Sequence, residues 1–378
     1  RENRRGTATT TVVASVACLT TDTLRSCRRV VHYLHRMNFT SKTVLVTGGA
    51  GFMGSHFVRY LLEHYPHYRI VNVDKLSYAG NLDNLIGIKE ESRHHFILGN
   101  IADEVIVRNI FKMEKPDFVV NYAAETLVDR SIAGPKIFVE SNIIGTHNLL
   151  EAVREFDHIK KFVQISTDEV YGEILLGSAT EESVCRPRNP YAATKAGADH
   201  LVTSYINTYN VPAVITRSCN FYGPNQYPEK VIPIFITNLL EGKKIFIHGD
   251  GGQTREWIFT DDHCRAVDAV LHKGEIGAIY NISSGESRSV FEIANDICLC
   301  MERDSSEIKF THDRPGNDRR YALDWKKMRN LGWEPIHKFC DGLAHTIEWY
   351  RNNQTWWKRI TEMPEFQEYY EHKYLTVQ

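Results

Sequence analysis

The chain has 378 residues, 42% hydrophobic and 24% charged, with a formal net charge of −2. Those values describe a globular protein with room for a substantial core and two lobes, and they exclude a strongly basic surface for nucleic acid or anionic membrane. No apolar run reaches the length of about eighteen residues that a membrane-spanning helix needs, so no membrane partner is expected.

Residues 1–36 differ in character, with seven Arg, many Thr and Ser, and only Glu2 and Asp22 as acids. A mitochondrial presequence has this composition. The alternative, adopted here, is a segment outside the native coding sequence, with Met37 as the start; 1–36 is expected to stand outside the fold.

From Lys42 onward, short apolar runs alternate with amphipathic segments. Strands are expected at Val44–Val46, Ile70–Val73, Phe96–Leu98, Phe118–Asn121, Phe162–Ile165 and Ala213–Thr216. Apolar residues recur at helical spacing in 55–65 and again in 137–153. Alternation of this kind predicts an α/β fold, a doubly wound parallel sheet of Rossmann type. The first lobe is placed at 37–221. Heavier Pro and Gly punctuation from 222 to 352, as in Gly223-Pro224 and Arg314-Pro315-Gly316, marks a smaller mixed α/β substrate-binding lobe. Within it, Ile245–Ile247 and Ala278–Ile282 are expected as short strands, while 253–270 returns to the first lobe. The aromatic tail, 353–378, has helical stretches and no assignable chemistry.

Thr47-Gly48-Gly49-Ala50-Gly51-Phe52-Met53-Gly54 joins the first strand to the first helix. Glycines at 48, 51 and 54 permit a tight turn, close approach of a pyrophosphate and close helix packing. The helix N-terminus then offers unpaired N–H groups to phosphate. Asp74 ends the second strand twenty residues after Gly54. An acid there accepts from both ribose hydroxyls and repels a 2′-phosphate, so NAD is favoured over NADP, with Lys75 tempering the preference.

Ser166-Thr167-Asp168-Glu169 follows an apolar strand, at the edge where open α/β sheets bind ligands. Tyr191 and Lys195 stand four residues apart, on one helical face, where a cation lowers the phenol pKa toward that of a general base. A hydroxyl, two carboxyls, a phenol and an ammonium suffice for a redox step and a water elimination in one pocket. The eight cysteines, at 18, 27, 185, 219, 264, 298, 300 and 340, include no CxxC pair. Neither a metal site nor a disulfide framework is indicated, and a reducing compartment, the cytoplasm, is expected.

With these features the chain resembles the extended short-chain dehydrogenase/reductases. Several strings are similar to those of the dTDP-D-glucose 4,6-dehydratases within that family: Ser166–Gly172, Val73–Leu82, Val128-Asp129-Arg130-Ser131, Tyr222-Gly223-Pro224, Pro228–Pro233 and Asp313–Tyr321. The resemblance covers about residues 42–352 and implies a reaction on dTDP-glucose or UDP-glucose. Bound NAD oxidises C4, water leaves across C5–C6, and hydride returns to C6; the order is required because C5–H is acidic only beside a C4 ketone. It further implies Tyr191 as base for the C4 hydroxyl, Thr167 as its hydrogen-bond partner, Glu169 as base at C5 and Asp168 as acid at C6. Lys195 would bind the nicotinamide ribose. Cofactor contacts are implied for Gly48, Gly51, Phe52, Met53, Gly54, Asp74, Lys75, Leu76, Ser77, Asn100, Ile101, Ala123, Ala124 and Ser141. Sugar-nucleotide contacts are implied for Thr126, Asn220, Lys230, Val231, Arg255, Asn317, Arg319, Arg320 and Tyr321, with Arg255 and Arg319 or Arg320 as diphosphate partners. A homodimer through helices near 137–155 and 191–209 is also implied.

Three positions depart from the pattern. Asn100 replaces a common Asp, Leu127 a frequent His, and Ser283-Ser284-Gly285 a more glycine-rich turn. Two other readings share the motifs. A sugar-nucleotide epimerase or decarboxylase has no use for the 168–169 pair, and a catalytically idle NAD-binding protein has no use for Tyr191, Lys195 or the carboxyls.

Overall fold

The expected apolar runs become six parallel strands: β1 (Lys42–Thr47), β2 (Tyr68–Asp74), β3 (His94–Leu98), β4 (Phe118–Asn121), β5 (Lys161–Thr167) and β6 (Ala213–Ser218). The structure, a computed structural model, describes residues 41–88, 91–313 and 317–375. The segment 1–36, Met37 and the string Arg314-Pro315-Gly316 lie outside the described residues. Pairing carries β5 and β6 past their apolar runs, since Ser166 and Thr167 align with Arg217 and Ser218 in the ladder. Ser166 and Thr167 are therefore strand residues rather than the start of a loop.

Further strands follow at β7 (Asn220–Tyr222), β8 (Ile245–His248), β9 (Thr254–Phe259), β10 (Ile279–Ile282), β11 (Ser287–Ser289) and β12 (Ile308–Thr311). The main sheet has seven strands in the order β10-β6-β5-β4-β1-β2-β3. This corrects the expectation that 278–282 belongs to the smaller lobe: β10 pairs parallel with β6. Its route explains the placement. The helix Thr260–Lys273 buries Cys264, Ala266, Val267, Val270 and Leu271 against one face of the main sheet. It thereby delivers the following residues to the open edge of β6, whose backbone groups need partners. The return to the first lobe thus begins at Thr260, because β9 pairs instead with β7 and β11.

Side chains alternate across the sheet as strand geometry requires. Val44 and Val46 face one layer with Phe57 and Leu61 of the helix Phe52–His64. Leu45 faces the other, with Phe111, Leu149 and Leu150. A separate core gathers Ile232, Phe235, Ile245, Ile247, Ile293 and Ile297 with Tyr350, Trp357, Phe366 and Tyr370 from the end of the chain. Among the described residues, no helix is long and apolar enough to cross a membrane.

Strand order reverses at β1, which has β2 on one side and β4 on the other. The carboxyl ends of β1, β2, β4, β5 and β6 all open on that edge, the place where such sheets leave a crevice for ligands.

One buried amide stitches β10 to its surroundings. Asn281 accepts from the Tyr171 hydroxyl at 2.8 Å and donates to the carbonyls of Ala179 and Asp324 at 3.0 and 3.1 Å. Asn281→Leu removes three hydrogen bonds and leaves the buried Tyr171 hydroxyl without this acceptor, although the Ala179 carbonyl keeps Asp324 N at 2.8 Å; it is expected to cost on the order of 2 kcal/mol. Urea unfolding with an unchanged slope and a lower midpoint is the result to look for.

Candidate active site

The turn after β1 opens the site. Gly48 adopts φ +70°, and a Cβ there would stand 2.7 Å from the Ala123 backbone; on Gly54 it would stand 2.2 Å from the Gly48 carbonyl. Only glycine permits this approach of strand, turn and helix. Gly51 caps the helix Phe52–His64 without a side-chain hydrogen bond, and the first turn carries no acid. Its N–H groups and positive dipole end therefore remain available to an anion.

Asp74, at the end of β2, is buried and accepts from Ala50 N at 3.0 Å and Leu76 N at 2.8 Å. Burial pushes its carboxyl above the usual range, against the pull of those N–H groups. Each oxygen keeps a second lone pair for a diol. Lys75 is not available to a 2′-phosphate, since it donates to Ser141 Oγ at 2.8 Å and pairs with Glu125 at 2.9 Å. A backbone N–H at the glycine turn, a fixed carboxylate and a neutralised lysine are a fitting cradle for NAD.

At the end of β5, Thr167 accepts from Glu169 N at 3.3 Å and starts a 3₁₀ turn, Asp168–Tyr171. Asp168 is only 2% exposed. Burial first, and the neighbouring Glu169 second, push its pKa up to about 8. Thr167 Oγ1 donates to its Oδ1 at 3.1 Å, while Oδ2 has no partner among the described residues. Glu169 is half-buried and accepts from Asn189 Nδ2 at 3.2 Å. Asn189 also caps the helix Pro190–Tyr209 through Ala192 N, so one amide registers Glu169 against Tyr191.

Tyr191 is buried, and burial together with Glu169 and Asp168 pushes its phenol far up; the Thr167 hydroxyl works the other way. The Lys195 ammonium is pulled down to about 8 by burial, with Asp199 opposing. It donates to the Ile165 carbonyl at 2.5 Å. That bond uses one of the three ammonium donors and fixes Lys195 on the same helical face as Tyr191. A phenol so buried ionises readily only when further positive charge enters the pocket.

These residues share one cavity of about 360 Å³. Gly48, Gly51, Phe52, Met53, Gly54, Asp74, Lys75, Ser77, Asn100, Ile101, Ala123, Ala124 and Ser141 line it, with Thr126, Thr167, Glu169, Tyr191, Lys195, Asn220, Lys230 and Val231. Leu76 and Asp168 are not among its lining residues, and neither are Arg255, Asn317, Arg319, Arg320 and Tyr321 of the expected sugar-nucleotide contacts. Arg255 donates to the carbonyls of Thr254 and Asp318 and lies over the Tyr321 ring. Tyr321 donates to Asp318, and Asn317 to Asp313. Arg319 pairs with Asp250, and Arg320 donates to the carbonyls of Ile174 and Gly177. Each has these local partners, while Arg255 still acts on Asp168, and Glu169 on Tyr321, through charge.

Side chains that spacing alone did not single out also line the cavity: Tyr78, Asn84, Tyr122, Gln226, Tyr227, Trp257, Trp356 and Lys373. Tyr78 fell inside a quoted string, but the last two come from the tail, and nothing local marks them. A cluster of Asp261, Asp262 and His337 has ligand-like spacing. Asp262 is consumed there by the N–H groups of Ile336 and His337 at 2.9 Å, so the cluster reads as a structural cap.

Comparison with known proteins agrees with this geometry. The description "GDP-mannose 4,6 dehydratase" is that of the family matched by residues 45–346. The chain belongs to this dehydratase family. It is 48% identical over 307 residues to the low-salt glycan biosynthesis protein Agl12 of Haloferax volcanii, covering 81% of this chain and 98% of that one. It is 42% identical to a dTDP-glucose 4,6-dehydratase of Xanthomonas campestris, with 83% and 94% covered. Among solved members, the dTDP-glucose 4,6-dehydratase DesIV of Streptomyces venezuelae, with NAD and TYD bound, superposes with a TM-score of 0.82 at 44% identity, covering 84% and 99%.

The raised Asp168 pKa has a consequence for stability. The folded state holds its proton more tightly than the unfolded chain, where the value is near 3.8. The penalty on folding is therefore absent below about 3.8, grows as pH rises from there to about 8, and is constant above. Asp168→Asn is expected to leave stability unchanged near pH 4 and to raise it by more than about 1 kcal/mol by pH 8. Denaturant midpoints across that range read the difference; a uniform gain would place the effect elsewhere.

Proposed function

We propose that this protein is a sugar-nucleotide 4,6-dehydratase that converts dTDP-glucose or UDP-glucose to the 4-dehydro-6-deoxy sugar nucleotide with tightly held NAD. The observation that carries the reading is the pair at the end of β5: a carboxyl sealed from water and protonated near neutral pH, beside a second carboxyl that lines the cavity. Family membership and the similarity to named dehydratases support it.

The uncapped helix at Gly51, Asp74, Asn100, Ile101 and Ser141 would hold the cofactor. Held by these residues, NAD would supply reversible two-electron chemistry for the sugar's C4 and C6. Tyr191 then accepts the C4 hydroxyl proton while Thr167 holds that oxygen. Once C4 is a ketone, Glu169 removes the C5 proton, since the enolate can spread its charge onto the C4 oxygen. Asp168 keeps its proton until the C6 hydroxyl departs as water. Its Oδ2 has no hydrogen-bond partner among the described residues, which leaves it free for such a bond. Two neighbouring carboxyls with unequal access to water are thereby set apart as acid and base.

The reading includes a homodimer. Ile132, Ile137, Val139 and Ile144, on the helical stretch that leads toward the Gly145–Glu155 helix, stay 42–50% exposed in the single chain. Exposed aliphatic side chains in this region support a partner surface there. The cytoplasm is the compartment that fits its cysteine spacing.

Incubation with dTDP-glucose and UDP-glucose, followed by mass analysis, tests the reaction and ranks the donors. A product lighter by one water supports it; an isomer of unchanged mass would indicate an epimerase, and no product an idle protein. Tyr191→Phe is expected to stop turnover before reduced nicotinamide forms. Asp168→Asn is expected to slow water loss by about 10²-fold or more while leaving oxidation possible, so that reduced cofactor accumulates. Absorbance of bound reduced nicotinamide in a single turnover distinguishes the two.

A further inference from the structure

Near the end of the chain, the helix Gln354–Thr361 docks on a short 3₁₀ turn, Leu82–Leu85, whose capping residue Asn81 donates its N–H to the Ala50 carbonyl at 3.0 Å. Two residues three positions apart make the contact. Trp356 donates its indole N–H to Asn84 Oδ1 at 3.0 Å, and Arg359 pairs with Asp83 at 3.1 Å. The two contacts are unlike. Arg359 and Asp83 meet at the surface, whereas Trp356 and Asn84 are buried and both line the cavity. The Trp356 ring stands edge-on to Trp349, with centroids 5.0 Å apart, which restricts the direction of its N–H.

From Asn84 a line of buried hydrogen bonds runs to the carboxylate that the cofactor's ribose needs. Asn84 Nδ2 donates to the Ala50 carbonyl at 2.9 Å, and Ala50 N donates to Asp74 Oδ2 at 3.0 Å. Ala50 is thus gripped on both sides immediately before Gly51, which opens the helix that faces the phosphates. The ends of this line each have one polarity: an indole N–H only donates and a carbonyl only accepts. The amide between them must therefore turn its oxygen to Trp356 and its nitrogen to Ala50. Asn225, whose Nδ2 lies 3.3 Å from the same oxygen, does not impose that direction, since a second amide serves either polarity after a half-turn. Trp356 is the contact that decides it.

We propose, resting on the assignment of NAD to this cradle, that Trp356 is a positioning residue for the cofactor. Its indole N–H fixes the Asn84 amide, which holds Ala50 and so presents Asp74 and the glycine turn to the dinucleotide. The tail then sets how long NAD stays bound. Long retention suits a reaction that restores its own cofactor within each turnover.

The test follows release of bound NAD from the full-length holoenzyme into excess labelled NAD, with dTDP and UDP affinity measured beside it. Trp356→Phe keeps an aromatic ring and removes the donor; it is expected to speed release about fivefold, as for one lost hydrogen bond, and to leave the better-bound diphosphate unaffected. Asn84→Ala is expected to speed release at least as much. Because the indole acts through the amide, adding Trp356→Phe to Asn84→Ala should bring no further increase. Additive effects overturn the proposal, as does unchanged release in Asn84→Ala. Arg359→Gln loosens the same helix without entering the line of bonds and should leave release unchanged; an effect equal to that of Trp356→Phe reduces the tail to a fastening and also overturns it. So does a loss of diphosphate affinity that matches the loss of NAD retention. If the unaltered enzyme holds no NAD, the cofactor assignment fails. If it holds NAD and Trp356→Phe releases it at the same rate, this inference alone fails.

Discussion

A carboxyl group removed from water beside a second carboxyl keeps its proton unless a cation compensates it. Asp168 meets that condition at the end of β5, where a parallel strand buried on both faces releases its chain into a tight turn. The strand seals the first carboxyl, and the turn brings the second to the cavity. Asn189, which caps the Tyr191 helix and bonds Glu169, locks the phenol to the same frame. Acid, base and phenol are therefore held by one strand end and one helix start, not by separate flexible loops.

The same frame explains which parts of the molecule were legible in the residues alone. Short apolar runs and helix-period segments reveal β1 through β6, because each is decided by burial within a few neighbouring residues. The glycine turn is equally local: the demand at Gly54 arises from a carbonyl six residues earlier. β10 was misplaced because its partner, β6, lies more than sixty residues upstream, and only packing of the intervening helix shows which sheet it joins. The tail was opaque for the same reason. Trp356 reaches Asn84 across 272 positions and Lys373 reaches Asp129 across 244, and no spacing rule connects them.

The three departures from the family pattern acquire physical content. Ser283 donates to Glu256 at 2.7 Å and Ser284 to the Trp257 carbonyl at 2.6 Å, so the serine turn clamps the start of β11 to β9. Leu127 is buried and presents an apolar wall to the cavity. Asn100 uses its side-chain oxygen on Ala102 N at 3.0 Å while lining the cavity. Arg319 pairs with Asp250, and Arg320 donates to the Ile174 carbonyl, so the string that holds them is fastened to its surroundings at both positions.

The central claim is that the cavity carries an oxidation and a reduction with an elimination between them, with no exchange of reducing equivalents outside the protein. A sugar nucleotide deuterated at C4 tests it most directly. The account predicts that one turnover moves the deuterium to the new methyl group at C6 and shows it there by mass and NMR. A product whose methyl lacks deuterium, with the label released to solvent or retained at its origin, would contradict the account.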